Sequence, residues 1–293
     1  MDKKILITGA TGHIGNKLIP ILLQKKYKLI CIYHKKLPVI KKKNITWIKC
    51  DLKKSKIPLG NQEKLFCTIH LCGVTNGGKV SDHDYFRINE QTLVNTLESV
   101  KEKTRKFIFI SSQAVYGSPN SKIVDENFKL QPKFSSYSLS KINCEKWLEY
   151  YQSKYNGMYF SLRFTGFLGG GGNIDYIINN AKTDKDIILF SKGKVCRDYI
   201  SFEYGNEIIM NILKKKINNK YFCFNVSSGK VMKSYDIAKI VCDEFNSKSK
   251  IKLSNKEATI KHCVLINKKI KSFIKIKEFN LKQEIINEIR KNI

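Results

Sequence analysis

Ile5-Leu6-Ile7-Thr8-Gly9-Ala10-Thr11-Gly12-His13-Ile14-Gly15 reads as a buried strand that runs through three closely spaced glycines into a helix. Four apolar or β-branched residues suit a strand covered on both faces, and Asn16-Lys17-Leu18-Ile19-Pro20-Ile21-Leu22-Leu23 carries the apolar residues on into the helix. Gly9 suits the sharp turn. Gly12 leaves out a side chain where the pyrophosphate of a dinucleotide must approach the backbone, and Gly15 lets helix and strand pack closely. The free N–H groups and positive dipole end of the helix then face the phosphates. The spacing is G-x-x-G-x-x-G, not the commoner G-x-G-x-x-G, and glycines alone would equally describe a bare turn. The strand before and the helix after are the context that favours a phosphate cradle.

Composition bounds the rest. A chain of 293 residues with 42% hydrophobic content can bury a full core in one large or two closely joined domains. No apolar run approaches the roughly 18 residues of a membrane span. Met1-Asp2-Lys3-Lys4 is all that precedes the first strand, which is too short and too soon followed by glycines to be a signal-peptide core. A cytoplasmic protein with no membrane partner is expected. The nine cysteines, at 31, 50, 67, 72, 144, 196, 223, 242 and 263, form no C-x-x-C pair and mostly fall in apolar strands or helices. They read as reduced core residues, with no metal site.

The net charge of +29 is almost all lysine, with arginine only at 87, 105, 163, 197 and 290. The lysines are spread along a chain also rich in isoleucine and asparagine, a joint bias of A/T-rich coding sequence, and no nucleic-acid-binding motif accompanies them. Nucleic acid is therefore not an expected partner. A solvated basic surface would still draw in an anionic substrate.

Further along, the first half alternates strands and helices. Lys28–Tyr33, Ile45–Cys50, Leu65–Leu71, Lys106–Ile110 and Met158–Leu162 read as strands, with helices from Phe86 to about Val100 and from about Ser136 to Lys154. Strands separated by helical patterns mean parallel crossovers and a doubly wound α/β sheet. After Gly169-Gly170-Gly171-Gly172 the rhythm loosens into shorter elements, Ile187–Phe190, Tyr199–Phe202 and Phe222–Val226, and a helix near Ser234–Phe245. A dinucleotide-binding domain over 1–165, with a return segment near 195–218, and a smaller substrate-binding lobe over 166–293 are expected.

At the end of the second strand a NAD site would place an Asp or Glu on the ribose hydroxyls. This chain has Tyr33-His34-Lys35-Lys36 there. A carboxylate about 4 Å from a 2′-phosphate would cost on the order of 4 kcal/mol per unit charge at an effective dielectric near 20. Cations in its place favour NADP through His34 and Lys35, with NAD as the alternative.

A second constellation is Tyr137-Ser138-Leu139-Ser140-Lys141, preceded by Ser111-Ser112 at the end of the fifth strand. The four-residue spacing puts Tyr137 and Lys141 on one face of the long helix. A phenol of pKa about 10 is a poor proton shuttle at neutral pH, and lowering it by about three units takes roughly 4 kcal/mol. One ammonium at about 4 Å supplies that much. Such a tyrosine can give a proton to a carbonyl oxygen or take one from a hydroxyl while hydride passes to or from a nicotinamide. Ser112, at the C-terminal edge of the sheet where ligands bind, would hydrogen-bond the same oxygen. Y-x-x-x-K alone more often marks surface helix residues. Its place after a glycine-rich first turn and after Ser111-Ser112-Gln113-Ala114-Val115-Tyr116-Gly117 makes it informative.

With these residues in hand, the chain resembles the extended short-chain dehydrogenase/reductases, in particular the NAD-dependent epimerase/dehydratase group acting on nucleotide sugars. The resemblance runs through Thr8 to Gly15, Asp51-Leu52, Ile69-His70-Leu71-Cys72-Gly73, Asn89, Phe109 to Gly117, Pro132 with Tyr137 and Lys141, Leu162-Arg163 and Arg197-Asp198-Tyr199. It implies a Rossmann-type sheet with a C-terminal α/β lobe, and a cofactor site of Gly9, Thr11, Gly12, His13, Ile14 and Gly15 at the turn. Asp51 and Leu52 would meet the adenine, and Leu71, Cys72 and Gly73 would line the cofactor, with Asn89 supporting the helix geometry. Ser112, Tyr137 and Lys141 would form the catalytic set, Tyr137 and Lys141 also touching the cofactor. Thr75, Gln113 and Arg197 would meet the substrate, Arg197 by holding a phosphate, for which a guanidinium suits a bidentate role. A homodimer through the two helices from Phe86 and from Ser136 is also implied.

Departures from the group narrow the chemistry. Sugar dehydratases typically carry an Asp-Glu pair after the catalytic Ser/Thr, where Gln113 and Ala114 stand here. Dehydration is not expected. Many epimerases have an Asn near Thr165-Gly166, and the usual Asp-Asp near Glu203-Tyr204 is half lost. With the lean to NADP, these favour a 4-keto-sugar reductase acting on a nucleoside-diphosphate sugar in carbohydrate biosynthesis. A C4 epimerase with the same triad is the runner-up, and a non-catalytic dinucleotide sensor the reading from another class.

Overall fold

The computed structural model of the chain describes residues 3–75, 80–119, 123–216, 218, 220–258 and 264–291. The chain forms two compact units, one of Met1–Val115, Gln131–Arg163 and Asn206–Phe224, the other of Tyr116–Leu130, Phe164–Gly205 and Asn225–Ile293. Of the nine cysteines, Cys263 lies outside the described residues; the other eight are free thiols, four of them buried and four half-buried.

In the first unit the apolar runs form one sheet. Its strands are β1 (Lys4–Thr8), β2 (Lys28–Tyr33), β3 (Ile45–Lys49), β4 (Cys67–His70), β5 (Lys106–Ser112), β6 (Met158–Phe164) and β7 (Lys220–Val226). They lie in the order β7-β6-β5-β4-β1-β2-β3. The pairings of β1 with β2 and β4, of β2 with β3 and of β4 with β5 are all parallel. Parallel neighbours need crossovers, which the helices α1 (His13–Gln24), α3 (Gln91–Val100) and α4 (Ser136–Lys154) supply. Strands covered on both faces must be apolar throughout, and Ile5, Leu6, Ile7 and Thr8 are all fully buried. Leu6 packs in one cluster with Leu93 and Leu97 of α3, Phe107 and Phe109 of β5 and Leu148 of α4. Burying each such side chain contributes about 1.5–3 kcal/mol.

The winding reverses between β1 and β4, where the register Thr8↔His70 brings the C-terminal ends of the two strands together. Ligands bind in the crevice outside such a reversal.

Two elements differ from the reading of the sequence. The helix expected from Phe86 begins earlier, because Ser81 caps α2 (Asp82–Tyr85) in a reciprocal box with Asp84. Between α2 and α3, Phe86–Glu90 widens into a π-helical turn, a form found mostly at functional sites. The strand expected at Phe222–Val226 in the second lobe instead joins the central sheet as β7. Its own hydrophobic pattern suits either place, and only its pairing partner decides.

The second unit contains α5 (Asn173–Lys182), α7 (Ser234–Phe245), α8 (Lys268–Phe273) and α9 (Leu281–Arg290), and α6 (Phe202–Lys214) begins in it. Ile174 and Ile178 of α5, Ile237 and Val241 of α7 and Ile285 of α9 share one core. Its strands are two or three residues long: Gly166–Phe167 beside Tyr199–Ile200, Cys196–Arg197 beside Met232–Lys233, Ile187–Leu189 beside Ile251–Leu253, and Ile123–Val124 beside Val264–Leu265. Fully buried Asn225 ties loops together, accepting from the Tyr116 hydroxyl at 2.7 Å and donating to Val124 O and Ile266 O. Among the described residues no helix is long and apolar enough to cross a membrane.

Candidate functional site

At the end of β1 the chain turns on Gly9, whose φ of +62° is in the left-handed region. A Cβ there would also lie 2.7 Å from Cys72 N and from Leu71 C, so β1 and the end of β4 meet backbone to backbone. Gly15 is pressed against the backbone of Ala10 in the same way. Gly12 is the N-cap of α1 and is exposed; no side chain caps this helix and no acidic residue lies in its first turn. The start of α1 thus carries no side-chain cap and no acid, as suits an anionic acceptor from outside, and among the described residues a Cβ on Gly12 would meet Gly9 O at 3.1 Å. The turn fits the pyrophosphate of a dinucleotide. Thr11 and Ile14 are half-buried beside it and His13 is exposed.

Beneath the turn, Thr8 and His70 are buried side by side. Thr8 Oγ1 accepts from Cys72 N at 3.3 Å and shares a 3.0 Å hydrogen bond with His70 Nδ1, while among the described residues His70 Nε2 has no partner. Burial, then the Lys141 ammonium, pushes His70 down to about 3, so this imidazole is neutral. Burial likewise raises the Cys72 thiol.

On the β2–β3 side, Tyr33↔Lys49 pairing brings the ends of both strands together. His34 Nε2 lies 3.7 Å from Asp51 Oδ2, with His34 and Asp51 partly exposed and Lys35 exposed. A carboxylate therefore stands where the sequence order shows only His34 and Lys35. Leu52 is buried in the core, and its carbonyl accepts from Asn95 Nδ2 at 2.7 Å.

The third group gathers on α4. Ser135 caps the helix by accepting from Ser138 N at 3.0 Å, and Tyr137 and Lys141 both come out buried. The Tyr137 ring packs edge-on against Tyr85 at 5.8 Å between centroids. Lys141 Nζ donates to Ile110 O at 3.0 Å and lies 5.8 Å from the Tyr137 ring centroid and 4.8 Å from that of Phe109. A Cβ added to Gly73, at φ +159°, would meet Asn89 Oδ1 at 2.9 Å and Lys141 Nζ at 3.7 Å. Gly73 is therefore where β4, the π turn and α4 converge.

Asn89 sits in that π turn and is almost wholly buried. Its Oδ1 accepts from Val74 N at 2.8 Å, and its Nδ2 donates to Ser140 Oγ at 2.9 Å. The widened turn aims a short amide at both the loop after β4 and α4. Ser112 is half-buried at the end of β5 and its Oγ accepts from Ala114 N at 3.1 Å. Half-buried Gln113 opens the short turn that follows, and exposed Thr75 accepts from the Tyr85 hydroxyl at 3.3 Å through its carbonyl. Leu71 and Cys72 are half-buried beside Gly9.

The first unit thus brings together the glycine turn, Leu71 to Gly73, Asn89, Ser112, Tyr137 and Lys141. Arg197 belongs to the second unit, half-buried on the short strand Cys196–Arg197. Next to it Asp198 is buried and accepts from Ser228 Oγ at 2.6 Å, Ser228 N and Gly229 N. Burial pushes this carboxyl up to about 7 against those hydrogen bonds.

Sequence reasoning assigned no role to Thr8, Ser138, Ser140 or Glu145. Ser138 Oγ donates to Ala114 O at 2.7 Å and to Gln131 O at 3.1 Å, fastening the start of α4 to the chain after β5. For Ser140 and Glu145, polar residues three and eight positions after Tyr137 on the helix, that placement was the available signal, since a helix that buries them must have partners for them.

A family model described as the NAD dependent epimerase/dehydratase family matches residues 5–223. A putative UDP-glucose 4-epimerase of Methanocaldococcus jannaschii is 29% identical over 257 residues, 80% of this chain and 81% of that protein. An uncharacterized UDP-glucose epimerase of Bacillus subtilis is 30% identical over 216 residues, 67% of this chain and 68% of its own. Among solved structures, the UDP-glucuronic acid 4-epimerase from Bacillus cereus in complex with NAD superposes with a TM-score of 0.82 at 20% identity, over 99% of each chain.

Proposed function

This chain belongs to the NAD dependent epimerase/dehydratase family, and from that premise we propose that it is a nucleotide-sugar C4 epimerase working on a UDP-hexose with NAD. The observation that carries the reading is the carboxylate of Asp51 beside His34 at the end of β2. A carboxylate there accepts from a ribose hydroxyl and repels a 2′-phosphate. The relatives named as UDP-glucose epimerases supply the substrate class.

Gly9, Gly12 and the first amides of α1 would hold the dinucleotide pyrophosphate, with Asp51 at the adenosine and Leu71 to Gly73 along its length. Bound there, a nicotinamide would supply a reversible hydride acceptor. Tyr137 takes the proton of the sugar hydroxyl and gives it back to the carbonyl oxygen. The Lys141 ammonium, fixed on Ile110 O, offsets the negative charge that forms on the phenol oxygen, and Ser112 hydrogen-bonds the sugar oxygen. Arg197 takes a phosphate of a nucleoside diphosphate as a bidentate guanidinium. Gln113 and Ala114 hold no acid that would eliminate water.

Exposed Leu139, Trp147 and Tyr150 on α4, with Phe86 on the adjoining π turn, support a homodimer through this face. Sedimentation showing only monomer at micromolar concentration would remove that part of the reading.

The second reading is the 4-keto-sugar reductase with NADP, favoured by the exposed cations Lys35 and Lys36 next to His34. One experiment separates the two. Purified protein is given UDP-glucose or UDP-galactose with no added cofactor, and separately a 4-keto nucleotide sugar with NADPH. Interconversion of the two hexoses supports the epimerase; NADPH oxidation that requires the keto sugar, with no interconversion, replaces it by the reductase.

A further inference from the structure

Glu145 is a buried carboxylate that the chemistry above does not use. It lies eight residues after Tyr137 and four after Lys141, so the three share the face of α4 turned to the sheet. That face grips β5 at two successive residues. Lys141 Nζ holds Ile110 O at 3.0 Å, and Glu145 Oε1 accepts from Ser111 Oγ at 2.6 Å. Arg163 on β6 locks the carboxylate, with Nε donating to both its oxygens at 3.0 and 3.2 Å and Nη2 to Oε2 at 2.6 Å. Ser111 and Glu145 are nearly inaccessible, and so is Arg163. A bidentate charge-assisted pair in a dry setting admits one geometry.

Ser112 is the last residue of β5, so holding Ser111 against α4 fixes how far along α4 the end of the strand, and the turn in which Ala114 N donates to Ser112 Oγ, stand from Tyr137. We propose that Glu145, locked by Arg163, is a positioning residue for the reaction: through Ser111 it sets the register of β5 on α4 and so the placement of Ser112 relative to Tyr137. The proposal rests on the assignment of Ser112 and Tyr137 made above.

Removing Glu145 would strand a buried guanidinium and endanger the fold, so the test uses Ser111. Ser111→Ala, Ser111→Thr, Ser112→Ala and the double variant Ser111→Ala/Ser112→Ala are assayed for kcat and KM with a UDP-hexose, for cofactor affinity by titration and for Tm. Misplacement by about an ångström costs up to roughly 100-fold in rate, so Ser111→Ala is expected to lower kcat by about 10- to 100-fold. KM and cofactor affinity should stay within about twofold, and Ser111→Thr, which keeps the hydroxyl, should restore most of the rate. In the Ser112→Ala background the same change should lower kcat by less than about twofold, since residues acting as one unit are not additive. Equal losses in both backgrounds, or no loss in either, overturn the positioning role while leaving the catalytic reading intact. Full activity in Ser112→Ala overturns that reading and the positioning role with it.

Discussion

Two buried carboxylates, Glu145 in the first unit and Asp198 in the second, are held in opposite ways. Glu145 meets a guanidinium through three hydrogen bonds and adds a serine hydroxyl. Asp198 is held, among the described residues, by the neutral donors of Ser228 and Gly229, and burial pushes it up to about 7. The difference follows from what surrounds them. In the first unit long parallel strands and a nineteen-residue helix stand in fixed register, so a charge on one can be matched by a charge on its neighbour. In the second unit two-residue strands and loops offer backbone N–H groups and hydroxyls instead. The first arrangement holds its carboxylate in a bidentate geometry; the second leaves a carboxyl whose charge depends on pH.

The largest expected effect tests what the first unit's rigidity serves. Tyr137→Phe keeps the ring against Tyr85 but removes the transferable proton, so turnover should fall about 100- to 10,000-fold while Tm hardly moves. Steady-state rates beside a thermal melt check it, and near-normal turnover would break the link between the rigid unit and the chemistry.

Next comes stability. Arg163→Met leaves Glu145 buried without its counter-ion and should cost about 3–5 kcal/mol. Asp198→Asn keeps an acceptor for Ser228 but turns an amide donor toward Gly229 N, while at pH 8 it removes a buried charge that no cation is seen to balance among the described residues, so the two effects oppose and the variant should lose far less stability than Arg163→Met, or gain some. Urea unfolding of both variants at that pH gives the contrast directly; equal losses would erase it.

Lys106 sharpens the same point within the first unit. Its ammonium is buried and donates to Ile212 O, Leu213 O and Lys215 O at the C-terminal end of α6, where helix carbonyls lack partners. Burial lowers its pKa, yet the three carbonyls keep the group in place. Lys106→Met should cost about 1–3 kcal/mol, read from the urea midpoint, with cofactor affinity unchanged.

The smallest effect per step is in pH. His70, pushed from 6.5 down to about 3, is uncharged when folded, so its contribution is fully present above pH 6.5 and is lost as pH falls toward 3. Asp198, raised from 3.8 to about 7, has the opposite sign: its contribution is full below pH 3.8 and is lost as pH rises through 7. Each slope is about 1.4 kcal/mol per pH unit, so between pH 3.8 and 6.5 the two largely cancel. In Asp198→Asn the cancellation goes, and stability should drop by about 1.4 kcal/mol for each unit of acidification below 6.5. Denaturation at pH 4.5, 5.5 and 6.5 would show this, and an unaltered profile would mean that Asp198 does not titrate in the fold.

Much of the first unit is legible in the chain order. Lys28–Tyr33 and Ser136–Lys154 are a strand and a helix at the residues their patterns indicate, because a strand buried on both faces must be apolar throughout and Ser135 supplies a local cap. Tyr137 and Lys141 are readable as a pair because a helix repeats every four residues or so. The Asp51 carboxylate beside His34 was not readable, since they lie seventeen positions apart and only the β2–β3 register joins their ends. Nor was the π turn at Asn89, whose extra residue per turn is set by what Asn89 must reach on both sides.

Sequence by itself determined the class of fold, the glycine-rich turn between β1 and α1 and the candidate groups proposed to react, because each rests on patterns of residues near one another in the chain. Tertiary structure alone decided that β7 closes the central sheet, that Asp51 faces His34, and that Glu145 is clamped between Ser111 and Arg163. The physical reason is the same in each case. A strand edge, a carboxylate or a buried arginine can be satisfied by many partners, and only the folded register chooses which one.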